Sequence, residues 1–141
     1  MKCSVIIDKE KEEQVIIYAH QKTKLVEQIE RLASEDILIG YRDSEAVRLL
    51  FSEVYCFIVE ENKVYALTES ERFRLKSRLY QLEEVMPPQF VKLHQSCIAN
   101  MQKMRRFDAS MTGALMVTMQ NGYTDFVSRR NLKTVKERLG L

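Results

Sequence analysis

The feature that most constrains this fold is a succession of short runs, dense in β-branched and aromatic residues, between residues 37 and 127. Runs of four to seven such residues, separated by turn-forming residues, are typical of antiparallel β-strands. The predicted strands are Ile37–Tyr41, Ala46–Phe51, Val54–Glu60, Val64–Thr68, Phe73–Lys76, Phe90–His94, Met104–Asp108, Ala114–Met119 and Tyr123–Val127. The segment Gln95–Asn100 has no clear pattern. The sequence therefore predicts an α+β fold that is mostly β.

Three segments have helical periodicity instead. Apolar residues recur on one face of Lys22–Ala33, of Ser77–Met86 and of a segment that begins at Ser128 and ends at Gly140. Pro87-Pro88 stops the second helix, because proline cannot continue a helix and restricts the residue before it. A longer second helix, Glu69–Met86, fits the periodicity equally well.

Two turns connect predicted strands. Glu61-Asn62-Lys63 separates two β-rich runs, and Asn121-Gly122 lies within the hairpin Met116–Val127. We expect a type I′ turn at Asn121-Gly122, because both residue types tolerate a positive φ.

The first 40 residues are predicted to form a β-β-α extension to a domain that spans residues 41–141. Ser4–Ile7 and Gln14–Ala19 are its expected strands. A segment of this size cannot bury a good core by itself, so we expect it to pack on the rest of the chain or on a partner.

Composition indicates a cytoplasmic protein. No apolar stretch reaches the roughly 18 residues of a transmembrane helix, and the N-terminal apolar run is too short for a secretory signal. Cys3, Cys56 and Cys97 are odd in number and scattered, so a reducing compartment fits them better than a disulfide framework.

The residues needed for catalysis or metal binding are not near one another in the sequence. His94 and Cys97 form an H-x-x-C motif, but a nucleophilic cysteine or a zinc site needs further partners at a suitable spacing. The other candidates, His20, Cys3 and Cys56, are distant in the sequence. We therefore predict no enzymatic activity, metal, cofactor or small-molecule substrate.

Positive charge is concentrated in the C-terminal segment. The formal net charge is +2, yet residues 85–141 carry nine basic residues and three acidic ones. Such a block indicates either a nucleic-acid-binding surface or a solvated face without a partner.

The segment FVKLHQSCIANM has polar donors among apolar residues. Such donors can bond to DNA bases or phosphates, or to buried backbone. We predict structural roles for His94, Ser96 and Asn100, and exposed positions for Lys92 and Gln95.

Three cations, Arg129, Arg130 and Lys133, lie in the first turns of the last predicted helix. The positive end of the helix dipole disfavours cations there, so an external anion such as phosphate is expected to compensate them. An acidic neighbour in the fold would do the same. We favour DNA contact for Arg130.

Residues from about 42 to 141 resemble the LytTR DNA-binding domain of bacterial response regulators. The resemblance depends on F-x-K-x-H-x-S-x-x-x-N at Phe90–Asn100 and on V-S-R-R-N-L-K at Val127–Lys133. It depends also on the helix that ends in Pro87-Pro88. The resemblance implies about ten strands in small antiparallel sheets, with loops that enter successive major grooves of DNA.

The family's DNA-contacting loops correspond to three places in this chain. The resemblance implies base contacts from Asn62 or Lys63, from Gln95 and from Arg130. It implies phosphate contacts from Arg129 and Lys133, and Lys92 and Gln95 stand where the family often has other residues. The DNA-binding residues expected are thus Asn62, Lys63, Lys92, Gln95, Arg129, Arg130 and Lys133.

The resemblance also implies partners. The segment before the domain is too short for a receiver domain, so we expect a stand-alone, homodimeric regulator of repeated promoter sites on double-stranded DNA. Family members of this kind are commonly encoded beside a small membrane protein that restrains them. The extension Cys3–Ala33 is therefore a candidate surface for dimerisation or for inhibitor docking. The alternatives are a module whose basic face docks an acidic protein, and an RNA binder.

Overall fold

The computed structural model describes residues 2–33, 37–109 and 113–141. The chain divides into two compact units, Met1–Ser34 and Glu35–Leu141. The smaller unit contains helix α1 (Lys24–Ala33). No helix in the described part of the chain is long and apolar enough to cross a membrane.

The larger unit is mostly antiparallel β, as predicted. Its described strands are β1 (Ile37–Arg42), β2 (Glu45–Leu50), β3 (Cys56–Glu60), β4 (Lys63–Leu67), β5 (Arg72–Leu75), β6 (Phe90–His94), β7 (Cys97–Asn100), β8 (Met104–Ala109), β9 (Leu115–Met119) and β10 (Thr124–Val127). Its helices are α2 (Leu79–Val85) and α3 (Arg129–Leu139). One sheet has the order β2-β1-β5-β4-β3-β7-β6, and the other has the order β10-β9-β8.

Apolar residues form two core clusters within this unit. One cluster joins Cys97, Val117 and Val135, and so connects the large sheet with the small sheet and α3. The other joins Phe57 and Phe90, whose ring centroids are 5.3 Å apart, with residues of α2. Strand β6 and helix α3, which carry four of the seven predicted DNA residues, are therefore anchored by buried side chains.

Helices α2 and α3 lie where they were predicted, and the structure decides between the two predicted lengths of α2. Strand β5 excludes the longer helix Glu69–Met86, and α2 has Arg78 rather than Ser77 as its N-cap residue. Helix α3 begins after Ser128 and ends at Gly140, whose φ of 74° is left-handed.

The prediction of a type I′ turn at Asn121-Gly122 was wrong, and the two successive positive φ values of such a turn occur at Glu61-Asn62 instead. At Asn121-Gly122 only Gly122 has a positive φ, because the Asn121 side chain accepts a hydrogen bond from Tyr123 N and donates one to Thr68 O. Gly122 N donates to Met119 O, which gives a type I turn followed by a left-handed glycine.

The prediction of two N-terminal strands was wrong. In residues 2–23 the structure has no strand, and Val5, Ile6 and Tyr18 are 80%, 86% and 94% exposed. These residues have strand-forming side chains but pair with no sheet edge. Strand β1 pairs with β2 and β5, so the division between the units lies closer to residue 35 than to residue 40.

Candidate nucleic-acid interface

Two tight turns lie side by side at one end of the seven-stranded sheet. One is Glu61–Asn62 between β3 and β4, where both φ values are positive, 49° and 63°. The other, Gln95–Ser96, joins β6 to β7. Strand β3 pairs with β7, and Val59 N donates to Ser96 O at 3.0 Å. Since neighbouring strands are about 4.8 Å apart, the two turns are roughly 10 Å apart. We call this the hairpin end.

Helix α3 starts at the same end of the sheet, beside edge strand β6. Ser128 N donates to the carbonyl of Leu93 at 2.9 Å, and Asn131 Nδ2 donates to the same oxygen at 3.3 Å. These two bonds place the first turn of α3 next to the Gln95–Ser96 turn.

The cations of that first turn are exposed. Arg129, Arg130 and Lys133 have no ion pair with any described residue, and the first turn of α3 has no acidic residue. The positive end of the helix dipole adds to their charge. Because no described carboxylate pairs with these cations, their positions suit an external anion.

Six of the seven predicted residues meet at the hairpin end. Asn62, Lys63 and Gln95 are exposed there with Arg129, Arg130 and Lys133. Lys92 differs, because its Nζ lies 3.4 Å from Oε2 of Glu83 on α2 and its side chain is only 34% exposed. It has to leave this ion pair before it can contact phosphate.

His94 holds the turn that presents Gln95. Its Nδ1 accepts a hydrogen bond of 3.1 Å from Ser96 N, so the neutral ring carries its proton on Nε2. The ring stacks on Phe126 with 4.5 Å between centroids and 6° between planes. The residues on both sides of Gln95 are thereby fixed.

Asp125 lies behind His94. Its Oδ1 is 2.9 Å from Nε2 of His94, but the N–H is poorly aligned, so we treat this as a close electrostatic contact. Oδ1 also accepts a hydrogen bond from Phe126 N, and Oδ2 accepts one from the Tyr123 hydroxyl at 2.7 Å. Burial, followed by that hydrogen bond, raises the pKa of Tyr123. The structural role predicted for His94 agrees with this network, in which Ser96 takes part through its backbone atoms.

Ligand-type atoms of His94, Cys97 and Asp125 lie within 4.8 Å of one another. The donor set does not fit a metal, however. Nδ1 of His94 is an acceptor, so Nε2 holds the proton of the neutral ring and has no free lone pair. The Cys97 thiol is fully buried, and contact with Cys56, then burial, then Asp125 raise its pKa well above the usual value. A metal ligand would have to be the thiolate.

Asn100 has a structural role. It is fully buried, its Nδ2 donates to Val54 O at 3.0 Å, and its Oδ1 accepts from Gln102 N at 3.0 Å. The prediction that Asn100 satisfies local backbone is confirmed.

The basic residues of the C-terminal segment divide into two groups. Arg138 donates to the carbonyls of Phe90 and Pro88, Lys103 lies 5.3 Å from the Tyr55 ring centroid, and Arg106 pairs with Asp108. Arg138 and Lys103 are thereby used in packing, and Arg106 is held in an exposed ion pair. The cations at the start of α3, together with Arg105 and Lys136, are exposed and form no ion pair with a described residue.

A further set of cations was missed by the sequence analysis. Arg72, Arg74, Lys76 and Arg78 alternate along β5 and the residues that follow it. Their alternation with Phe73, Leu75 and Leu79 predicts one polar face, and this signal was available in the sequence. The excess of acidic residues in the surrounding segment concealed it.

The fold and residues 44–140 define the class of protein. Those residues match the family model described as the LytTr DNA-binding domain. A LytTr DNA-binding domain from Bacillus cereus has the same fold, with a TM-score of 0.72 and 20% identity over 77% of this chain and all of that chain. The chain belongs to the LytTr DNA-binding domain family.

Relatives from Staphylococcus aureus match more of the chain. An uncharacterised HTH-type transcriptional regulator of strain MSSA476 is 30% identical over all of this chain and 99% of its own length. One from strain NCTC 8325 is 31% identical over 83% of this chain and 80% of its own length. In the described part of the present chain, α1 and α2 are each followed by a strand, and α3 is the last element. These helices do not form a helix-turn-helix.

Proposed function

We propose that this protein is a sequence-specific transcriptional regulator that reads the major groove of duplex DNA with its hairpin end. The convergence of three separate chain segments carries this proposal. The turns at residues 61–62 and 95–96 and the start of α3 come together with their polar side chains exposed.

Each segment has its own role in this proposal. Gln95, and Asn62 or Lys63, offer hydrogen-bonding groups at the tips of two rigid turns, which suits contact with base edges. Arg130 can bond to guanine with two parallel hydrogen bonds. Arg129 and Lys133 contact phosphate, which positions the protein without reading sequence.

The N-terminal unit is proposed to form a homodimer. Its apolar residues Val5, Ile6, Ile7 and Tyr18 are exposed in the single chain, and a relative from S. aureus aligns over the whole of this segment. A dimer would bury these residues and would match a repeated DNA site. Light scattering of the full chain and of residues 35–141 tests this: a full chain that is monomeric overturns the dimer and favours docking of another protein.

The central test is selection from a pool of random duplexes at two salt concentrations, followed by sequencing of the bound fraction. We expect a repeated motif to be enriched. With the selected duplex, Gln95→Ala and Arg130→Ala should each lose about 1–3 kcal/mol of discrimination at particular base pairs. Lys133→Ala should weaken binding to all duplexes alike.

Lys136→Ala is the matched control, because Lys136 is an exposed lysine in the last turn of the same helix. Full affinity of Arg130→Ala for the selected duplex contradicts the assigned site. Salt-sensitive binding without an enriched motif contradicts sequence specificity. A protein that binds no duplex at low salt, yet retains a protein partner after nuclease treatment, favours docking to an acidic protein.

A further inference from the structure

The cations that follow β5 emerge at the hairpin end. Strand β5 runs antiparallel to β4, and Leu75 is opposite Val64. Lys76 and Arg78 therefore leave the sheet beside the Glu61–Asn62 turn. A shallow surface groove is lined by Asn62, Lys63, Arg74, Lys76, Ser77 and Arg78.

Three of the four alternating cations have no acidic partner. Arg72 is the exception, because it pairs with Glu60 at 2.6 Å and lies 4.0 Å from the Tyr65 ring centroid. Arg74, Lys76 and Arg78 are exposed and form no ion pair with a described residue, although Lys76 lies 4.8 Å from the Tyr41 ring centroid.

The order of strands puts these cations and those of α3 on opposite sides of the two turns. Across the hairpin end the order is β5, β4, β3, β7 and β6, and α3 begins beside β6. Four strand spacings separate β5 from β6, roughly 19 Å. A major groove is about 12 Å wide and has a phosphate backbone on each side. A cationic cluster thus lies on each side of a surface that is wider than the groove, where the two phosphate backbones flank it.

We infer that Lys76 and Arg78, supported by Arg74, form a second phosphate-binding cluster that holds the DNA backbone on the side opposite Arg129 and Lys133. This inference rests on the proposed DNA binding and extends the contacted DNA beyond the three loops. These cations lie in the segment between residues 41 and 84, whose net charge is negative, and the inference gives them a function.

One acidic residue opposes this cluster. Glu61 is exposed in the adjacent turn, and no described residue pairs with it. A carboxylate there repels phosphate, so Glu61→Gln should raise the affinity for every duplex and should increase it most at low salt.

The double variant Lys76→Ala/Arg78→Ala tests the inference. Arg78 is the N-cap residue of α2, but its side chain makes no capping bond; its backbone N–H donates to Gln81 Oε1 at 2.8 Å. Both substitutions should therefore leave the fold intact, and thermal unfolding checks this. The matched control, Arg105→Ala/Lys136→Ala, removes two exposed cations that lie away from the β5 side of the hairpin end.

The readout is the dependence of duplex affinity on salt. Each phosphate contact contributes about 0.9 to the slope of log K against log salt. The test variant should lower the slope by about 1 to 2, weaken selected and random duplexes equally, and leave the base preference unchanged. The control variant should have the same salt slope as the unmodified protein.

An unchanged slope in the test variant overturns the second cluster, as does an equal loss of slope in the control. Failure of the proposed function gives a different result. In that case the unmodified protein itself binds no duplex, which is seen before any variant is measured. A folded variant that loses base preference but keeps its slope also overturns the inference, since phosphate contacts do not read sequence.

Discussion

Nε2 of His94 lies 2.9 Å from Oδ1 of Asp125, and this contact joins two different sheets. His94 ends strand β6 of the large sheet, and Asp125 lies in β10 of the small sheet. The contact couples the packing of the two sheets to the orientation of the Gln95 turn, because Ser96 N bonds to the other nitrogen of the same ring. The turn of Gln95, the side chain proposed to read bases, is thus positioned by a residue from a remote part of the chain.

The first prediction concerns Asp125→Asn. The carboxylate accepts hydrogen bonds from the Tyr123 hydroxyl and from Phe126 N and lies beside Nε2 of His94, whereas an amide has one oxygen and brings its own donor. The substitution removes one acceptor and turns an NH2 group toward these donors, so we expect the free energy of unfolding to fall by about 1–3 kcal/mol. Affinity for the selected duplex should fall more than affinity for random duplex, because the Gln95 turn loosens.

Asp108→Asn serves as the control, since Asp108 is an exposed carboxylate whose ion pair among the described residues is with Arg106. Urea unfolding and duplex titration measure the two effects separately. An Asp125→Asn protein that keeps its full preference for the selected duplex shows that Asp125 does not position the turn.

The second prediction concerns Lys92. The side chains of Lys92 and Glu83, which form an ion pair, are each about one-third exposed. Glu83→Gln should therefore change the free energy of unfolding by less than about 1 kcal/mol. If Lys92 exchanges Glu83 for phosphate in the complex, Glu83→Gln should strengthen binding to all duplexes. Lys92→Ala should lower the salt slope by about 0.9. A slope that Lys92→Ala leaves unchanged removes Lys92 from the DNA contacts.

The third prediction concerns Asn100→Ala. Loss of the amide leaves Val54 O without its buried hydrogen bond and Gln102 N without its partly buried one, which should cost about 2–5 kcal/mol of unfolding free energy. Duplex affinity should be nearly unchanged wherever the variant is folded, because Asn100 is fully buried. Gln102→Ala, which keeps the backbone N–H, is the comparison. A stable variant with weakened binding would instead show that Asn100 positions a DNA-contacting segment.

The fourth prediction concerns Cys97. The pKa of its thiol is raised by contact with Cys56, by burial and by Asp125, so it should resist alkylation in the folded protein, whereas exposed Cys3 should react. Mass spectrometry after iodoacetamide treatment with and without urea measures this. Rapid alkylation of native Cys97 would show that this part of the core opens.

The same pKa shift gives a pH dependence. In the unfolded chain a thiol ionises near pH 8.5, whereas in the folded chain Cys97 keeps its proton to higher pH. The unfolded state therefore releases protons first, and the free energy of unfolding should decline as the pH rises above about 8.5. In Cys97→Ala this decline should be smaller. An equally steep decline in that variant would assign it to other groups, including Tyr123, whose pKa is also raised.

Local sequence patterns predicted most of the strands and helices. Alternation, β-branched content and proline positions depend on neighbours within one element, so β1 to β6 and α3 were predicted close to their observed bounds. The same reasoning failed for Ser4–Ile7 and Gln14–Ala19, because a strand also needs a partner edge, which local pattern does not supply.

By itself the sequence determined the mostly β fold, the start and end of α3, and the C-terminal cations that could face DNA. Only the tertiary structure decided which of those cations are free: Arg138 and Lys103 are used in packing, whereas Arg130 remains exposed. It also added Lys76 and Arg78, which the sequence analysis had not selected. It also decided that Asp125 reaches His94 and that the turns at Asn62 and Gln95 are neighbours. The physical reason is that strand pairing joins residues far apart in the chain, and no local periodicity specifies that pairing.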